Sequence, residues 1–424
     1  MEPVSGTLPG GTHCRACAAP LERTLVDLGT SPPCESFLTA EQAREAETHY
    51  PLHVKVCEAC LLVQIPECVP AGEIFDDYAY FSSFSTSWLE HARGFCEQAI
   101  ERFGLGDSSL VVELASNDGY LLRNMVEAGV PSLGIEPSWT VAEAARKVGV
   151  ETLERFFGLQ VAEELRAERG PADLVIGNNV LAHVPDIVDF VAGAAALIAD
   201  DGVVVYEFPH LERLIEECQY DTIYHEHFCY LSLHAVQELL ARAGLEVFDV
   251  QRLRSHGGSL RVFSQRMGGS RPLEPGVAAV LAGEVEAGLS SADGAGYQGF
   301  QPRVEASKRS VLQGLCEWRE RTARPIVAYG APGKGNTLLN YCGVREDLID
   351  FAVDRNTYKH GRFTPGTRIP IQPPDALDAA RPECIVILPW NLQREITLQL
   401  AHAREWGARF FVPIPRWTEV HPPA

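Results

Sequence analysis

Tyr224, His225, Glu226 and His227 stand together in one four-residue run. A phenol, two imidazoles and a carboxylate can all move protons, and imidazole titrates near neutral pH. Such a run suits removal of a proton next to a carbonyl, where a base and an enolate stabiliser must converge. In a regular strand His225 and His227 would point away from Tyr224 and Glu226. Convergence of all four therefore requires irregular loop. The plain alternative is a His-rich surface turn whose imidazoles pair with their neighbours.

A second group of reactive residues lies near the N-terminus. Cys14-Arg15-Ala16-Cys17 is followed, forty residues on, by Cys57-Glu58-Ala59-Cys60. Two CxxC turns supply four thiolates, the tetrahedral shell of a closed structural zinc site. Zinc can hold a segment too small to build its own core. A redox pair is the alternative, but two pairs in a short Pro/Gly-rich stretch favour the metal. Cys34 and Cys68 have no CxxC partner and read as plain thiols.

These groups need a scaffold, and the chain divides into three segments, 1–72, 73–265 and 266–424. The second alternates short apolar runs with amphipathic ones, the pattern of a parallel sheet covered by helices. Leu110 to Leu114 reads as a strand, Ala115-Ser116-Asn117-Asp118-Gly119 as a tight turn, and Tyr120 to Ala128 as a helix. Ser132 to Glu136, Asp173 to Gly177 and Gly202 to Phe208 supply further strands. Ligands of such sheets lie beyond the carboxyl ends of the strands. Glu136 ends a strand and suits the two hydroxyls of a ribose. The turn lacks the glycines that a dinucleotide pyrophosphate needs, which fits S-adenosylmethionine better. Asn178, Asn179 and His183 come after the next strand on the same rim, with helix capping and packing as their plain alternatives.

The third segment is a connector and a second α/β unit. Pro325 to Tyr329 reads as a strand feeding the turn Gly330-Ala331-Pro332-Gly333-Lys334-Gly335-Asn336. A glycine-rich turn opening a helix can cradle an anion, with Lys334 adding charge and Asn336 nearby. The same turn, with Asp354-Arg355 later, loosely suits a nicotinamide cofactor, NADPH. Its order, GxxGxG, departs from the usual GxGxxG.

Composition narrows the classes. The 424 residues hold 36 Lys and Arg against 57 Asp and Glu, a formal net charge of −21. That field repels nucleic acid and anionic membranes. No apolar run approaches the roughly 20 residues of a bilayer span, and no secretory signal pattern is visible. A cytoplasmic protein is expected. Oligomeric state is not legible.

Taken in order, the two CxxC pairs, Tyr78 to Ser83, Glu113 to Leu122, Asn178 to His183, Tyr224 to His227, His256 to Arg261 and Gly330 to Asn340 cover nearly the whole chain. The set resembles the nucleotide-deoxysugar C-methyltransferases of actinobacterial antibiotic pathways. The resemblance implies an α/β fold with a small zinc-binding N-terminal domain, a Rossmann-like S-adenosylmethionine domain and a second Rossmann-like C-terminal domain. It implies methyl transfer to C3 of a dTDP-4-keto-(2,6-di)deoxyhexose. His227 would be the base, with Tyr224 and Glu226 as its partners, and His183 with Tyr78 or Tyr80 beside the ketone. Glu113, Ala115, Asn117, Asp118, Gly119, Glu136 and Asn178 would hold the cofactor. Asn179, His225, His256, Arg261, Lys334 and Asn336 would meet the sugar nucleotide. Cys14, Cys17, Cys57 and Cys60 would bind zinc. Other readings are a methyltransferase that also reduces the 4-ketone with NADPH, a pure dehydrogenase, and a scaffold without activity.

Overall fold

A computed structural model describes residues 11–66, 69, 82–84 and 86–421. Tyr78, Tyr80 and Cys68 lie outside the described residues. Among these residues no helix is long and apolar enough to cross a membrane.

Along the chain, β1 (Arg23–Ser31), β2 (Tyr50–Val56) and β3 (Val63–Gln64) come first. β4 (Val111–Leu114), β5 (Ser132–Ile135), β6 (Thr152–Leu153), β7 (Ala172–Asn178) and β8 (Ile198–Pro209) are next. Then come β9 (Cys229–Tyr230), β10 (Leu245–Leu253) and β11 (Ser259–Arg266). The last are β12 (Ile326–Tyr329), β13 (Phe351–Val353), β14 (Ile371–Gln372), β15 (Cys384–Ile387), β16 (Arg409–Val412) and β17 (Thr418–Val420).

Internal contacts divide the chain into two compact units. The first holds 1–21, 57–210 and 228–286, and the second 22–56, 211–227 and 287–424. The stretch between the cysteine pairs, which these contacts assign to the second unit, folds as the hairpin β1–β2. This hairpin packs on the helices Phe300–Arg321 and Gly333–Cys342 of the second unit.

In the first unit a seven-stranded sheet has the order β10-β11-β8-β7-β4-β5-β6. β4 to β8 are parallel, as expected. Val111, Val112, Leu114, Leu174, Val175, Ile176 and Val203 to Val205 are all buried. Such unbroken apolar strands mark a sheet covered on both faces. β10 and β11 add an antiparallel edge that the sequence did not announce. The expected helix after the tight turn spans Leu122–Glu127. The strand order reverses between β4 and β7, so their carboxyl ends open a crevice.

The cysteine pairs sit in the same unit, next to the short pair β3–β9. Both pairs use one turn. Ala18 N–H donates to the Cys14 carbonyl and Leu61 N–H to the Cys57 carbonyl. Ala18 and Leu61 each adopt a left-handed φ of 59°. The four sulfurs lie within 4.8 Å of one another, with Cys14–Cys60 at 3.6 Å and Cys17–Cys57 at 3.5 Å. Four thiolates about 2.3 Å from zinc would stand about 3.8 Å apart, so the cluster fits that ion. The side-chain amide of Gln64 donates to Cys14 Sγ at 3.1 Å, which favours a thiolate there.

The second unit carries a six-stranded sheet, order β14-β13-β12-β15-β16-β17, parallel except for β17. Its reversal lies between β12 and β15. The segment 211–227 adds the turn Tyr220–Thr222, packed on the helix Gly333–Cys342.

The packing and the cysteine cluster of the first unit each set an expected outcome. A methyl at Gly177 would stand 2.7 Å from the buried Tyr206 ring. Gly177→Ala is therefore expected to cost about 1–3 kcal/mol in denaturant unfolding, as overpacking does. Metal analysis should find one zinc ion per chain, and chelation should lower the melting temperature. Cys57→Ser should lose both the metal and that response.

Candidate active site

The tight turn after β4 is built from strained backbone. Ala115 has φ 54°, Asn117 49° and Gly119 77°. After β7, Asn179 has φ 52°. Non-glycine residues in this region cost energy and cluster at ligand sites. Here the strain brings backbone and short polar side chains to the crevice at the strand reversal. Asn117 Oδ1 accepts from Ser82 N–H at 2.9 Å, and Asp118 Oδ2 from Ser83 N–H at 3.1 Å.

Three acids meet there. Glu136, after β5, accepts from the backbone N–H groups of Asn117 and Ser138 at 3.0 and 2.9 Å. Glu113 is only 1% exposed, and neither of its carboxylate oxygens has a hydrogen-bond partner of good geometry among the described residues. Burial, then Asp118 and Glu136, push its carboxyl well above the usual range. Both amide atoms of Asn178 are similarly buried and unsatisfied. Tyr120 adjoins Glu113 and Asn178. Buried polar groups left this way call for a ligand.

The rim continues through Glu207 and the His256 to Arg261 stretch, joined by Trp88 and His91, which no sequence motif marks. Glu207, at the end of β8, is fully buried. It accepts from Arg261 at 2.7 and 3.1 Å, from Ser255 Oγ at 3.0 Å, and lies 2.9 Å from His91 Nε2. His91 stacks on Trp88 at 4.8 Å, and Trp88 meets His256 edge-on at 5.0 Å. His256 Nε2 lies 3.3 Å from the Asn179 amide nitrogen. Glu207 and Arg261 are direct partners across β8 and β11. Arg261 therefore belongs to the fold: its guanidinium is buried against Glu207 and over the Phe95 ring. This corrects the expectation that it meets substrate. His183 is half-buried at the end of the turn Leu181–His183.

In the second unit, Tyr224 to His227 form an irregular turn closed by His227 N–H donating to the Tyr224 carbonyl at 2.9 Å. The rings of Tyr224 and His227 lie 4.0 Å apart. His227 Nδ1 is 2.8 Å from the Thr222 carbonyl oxygen. A carbonyl can only accept, so Nδ1 carries the proton and Nε2 is the basic nitrogen. His225 turns elsewhere. It is buried, with Nε2 3.2 Å from the Tyr50 carbonyl and its ring edge-on to Tyr50. Burial lowers its pKa. It reads as a packing residue rather than the expected substrate contact. Glu226 is buried against Cys34, whose thiol donates to Oε1 at 3.8 Å. Burial, reinforced by Glu35, pushes the Glu226 carboxyl up to about 8.

The glycine-rich turn after β12 is filled by its own chain. A Cβ at Gly330 would stand 2.7 Å from Pro389, and one at Gly335 3.0 Å from Leu388. At Gly333 it would meet Cys34 Sγ at 2.7 Å and a Glu35 oxygen at 2.9 Å. These glycines serve close packing. Asp354, the acid that a ribose would need, accepts from Ala331 N–H at 2.7 Å and Asn356 N–H at 2.8 Å. Asn336 is fully buried and its side-chain amide donates to the Cys34 carbonyl at 2.6 Å. Lys334 remains half-buried, donating to Asn391 Oδ1 at 2.7 Å and lying 4.9 Å over the Trp390 ring. Trp390 Nε1 donates to the buried Asp221 at 2.6 Å. Trp390 and Asp221 had no motif to announce them. The one available signal for Trp390 is its place just beyond the apolar run Cys384–Ile387, the strand beside β12.

Known proteins match this division of labour. Residues 254–415 match the family of C-methyltransferase C-terminal domains, residues 88–250 a methyltransferase domain and residues 14–75 a zinc binding domain. The chain is 36% identical over 406 residues to the C-methyltransferase NovU of Streptomyces niveus, covering 95% of each. Solved structures align over less. Magnesium protoporphyrin IX methyltransferase from Synechocystis, with bound SAH, has a TM-score of 0.34 and 16% identity, over 42% of this chain and 83% of its own. An S-adenosylmethionine-dependent methyltransferase from Clostridium acetobutylicum has a TM-score of 0.35 and 11% identity, over 42% and 92%. The chain belongs to the C-methyltransferase family, with S-adenosylmethionine as its methyl donor and zinc on its four N-terminal cysteines.

Proposed function

We propose that this enzyme methylates C3 of a dTDP-4-keto-(2,6-di)deoxyhexose during antibiotic deoxysugar biosynthesis in the cytoplasm. The observation that carries the reading is the His227 bond to the Thr222 carbonyl, which presents a basic Nε2 beside the Tyr224 ring. A C3 hydrogen beside a C4 ketone is acidic when the enolate is stabilised. His227 Nε2 takes that proton, and the C3–H electrons pass into the enolate. Tyr224 orients the imidazole. His183 with Tyr78 or Tyr80 is assigned to the ketone oxygen. S-adenosylmethionine supplies an electrophilic methyl group on its sulfonium. Glu113, Ala115, Asn117, Asp118, Gly119, Glu136 and Asn178 bind that donor and exclude water around it. Asn179 and His256 face the sugar, and Lys334 takes its diphosphate.

Glu226 acts as a neutral carboxyl. With its pKa near 8 it keeps its proton at neutral pH and can hold the loop as a donor. A reductase step on the same ketone receives no support from the second sheet, where Pro389 and Leu388 fill the space against the glycines. Incubation of the 4-keto sugar with NADPH alone should consume no NADPH.

Two measurements test the assignments. His227→Ala should lower methyl transfer by about 10²–10⁴, the usual worth of a positioned base, with affinity for S-adenosylmethionine unchanged. Mass spectrometry of the sugar product reads the first and calorimetry the second. Near wild-type turnover would remove the base assignment. For Glu226, the folded pKa lies above the ordinary value of 4.5. Between those values the folded state holds a proton that the unfolded state has released. Stability is then full below the ordinary value and falls as pH rises towards the folded one. Glu226→Gln should remove this fall, so its denaturation midpoint should gain on wild type from about pH 5 to 8.

A further inference from the structure

The base has a support that neither the motif nor the family matches assign. Its Nδ1–H is held by the Thr222 carbonyl. Thr222 closes the short turn Tyr220–Thr222, and this turn is anchored on both sides within the second unit. On one side the Tyr220 hydroxyl lies 3.7 Å from Cys342 Sγ, and its ring meets Tyr341 edge-on at 5.3 Å. On the other side Asp221, which is 0% exposed, takes the Trp390 indole N–H at 2.6 Å. Trp390 is itself buried and braced by Lys334, whose ammonium lies over its ring. Within the turn, Thr222 N–H donates to the Gln219 carbonyl at 3.1 Å and Thr222 Oγ1 to the same oxygen at 2.8 Å.

We propose that Trp390 and Asp221 are a positioning pair for His227. The indole N–H fixes the carboxylate, the carboxylate fixes the turn, and the turn aims the Thr222 carbonyl at Nδ1. A carboxylate out of water needs a donor, and here that donor comes from the loop after β15. The pair does not touch the reacting atoms. It works by keeping the proton on Nδ1 and the lone pair on Nε2. Trp390 stands just beyond β15, the strand beside β12, so this end of the second sheet supplies the donor that holds Asp221.

This proposal rests on the reading of His227 as the base, and the test separates the two. The full-length zinc-loaded enzyme is mixed with the 4-keto sugar nucleotide and S-adenosylhomocysteine in deuterated water. Exchange of the C3 hydrogen then reports base action without methyl transfer. Trp390→Phe, which keeps a flat ring under Lys334, should slow exchange by about tenfold or more, as misplacing a catalytic group does. The sugar KM and the cofactor Kd should stay within about twofold of wild type, since binding is not what the pair supplies. Asp221→Asn keeps an oxygen acceptor and should fall less far than Asp221→Ala. Nitrogen chemical shifts of the His227 ring should show loss of the fixed tautomer in Trp390→Phe. Should Asp221→Ala not fold, Trp390→Phe and Asp221→Asn carry the comparison.

Exchange within about twofold of wild type in both of these variants would overturn the proposal. So would a parallel fall in exchange, sugar KM and cofactor affinity, which marks a general loss of structure. If His227→Ala itself keeps full exchange, the base reading has failed. The ring shifts in Trp390→Phe then still decide whether the pair sets the tautomer.

Discussion

A carboxylate removed from water must find donors or give up its charge. This constraint sets the detail of both units. Glu207 finds donors: Arg261, Ser255 and His91 enclose it at the end of β8. Such a pair adds little net stability over apolar packing, yet losing one partner strands a buried charge. Its effect is positional, because His91 carries Trp88 and Trp88 carries His256 along the rim. Glu136 finds two backbone donors. Asp221 finds an indole. Glu226 finds, among the described residues, only a thiol, and its carboxyl is pushed up to about 8 instead.

The two sheets share a reversal of strand order and use it differently. In the first, the backbone at Ala115, Asn117 and Asn179 is forced into left-handed φ, which leaves the crevice lined by short polar groups. In the second, glycines let Pro389 and Leu388 close the corresponding space. A glycine-rich turn can admit either a phosphate or a neighbouring strand end. Only the identity of the neighbour decides which, and that neighbour is distant in sequence.

That distance explains what the sequence disclosed and what it hid. The parallel strands were legible because burial on both faces leaves unbroken apolar runs, as in Val111–Leu114 and Cys384–Ile387. The cysteine cluster was legible because CxxC spacing is local chemistry. The need for irregular loop at Tyr224 to His227 came from strand alternation alone, and the turn is there. Arg261 and Asn336 read as ligand contacts because motif position says nothing of a partner across a sheet. Each also has a partner distant in sequence, Arg261 in Glu207 and the Asn336 amide nitrogen in the Cys34 carbonyl. His225 was grouped with its neighbours, but adjacent side chains in a turn diverge, and it packs on Tyr50. The hairpin β1–β2 was hidden because the metal knuckles on either side of it suggested one continuous small domain.

Charge sorts the remaining groups. In the first unit the unsatisfied atoms at the strand reversal include three carboxylate oxygens, two on Glu113 and one on Asp118, beside the amide atoms of Asn178. Burial, and then the neighbouring acids Asp118 and Glu136, push Glu113 well above its ordinary range. Under the proposed assignment of these residues to the methyl donor, its sulfonium and ammonium would place positive charge beside the acids and favour their ionised form. Attraction of that kind strengthens as water leaves the site. A donor that has given up its methyl group has also lost the sulfonium charge, and with it that part of any attraction to nearby carboxylates.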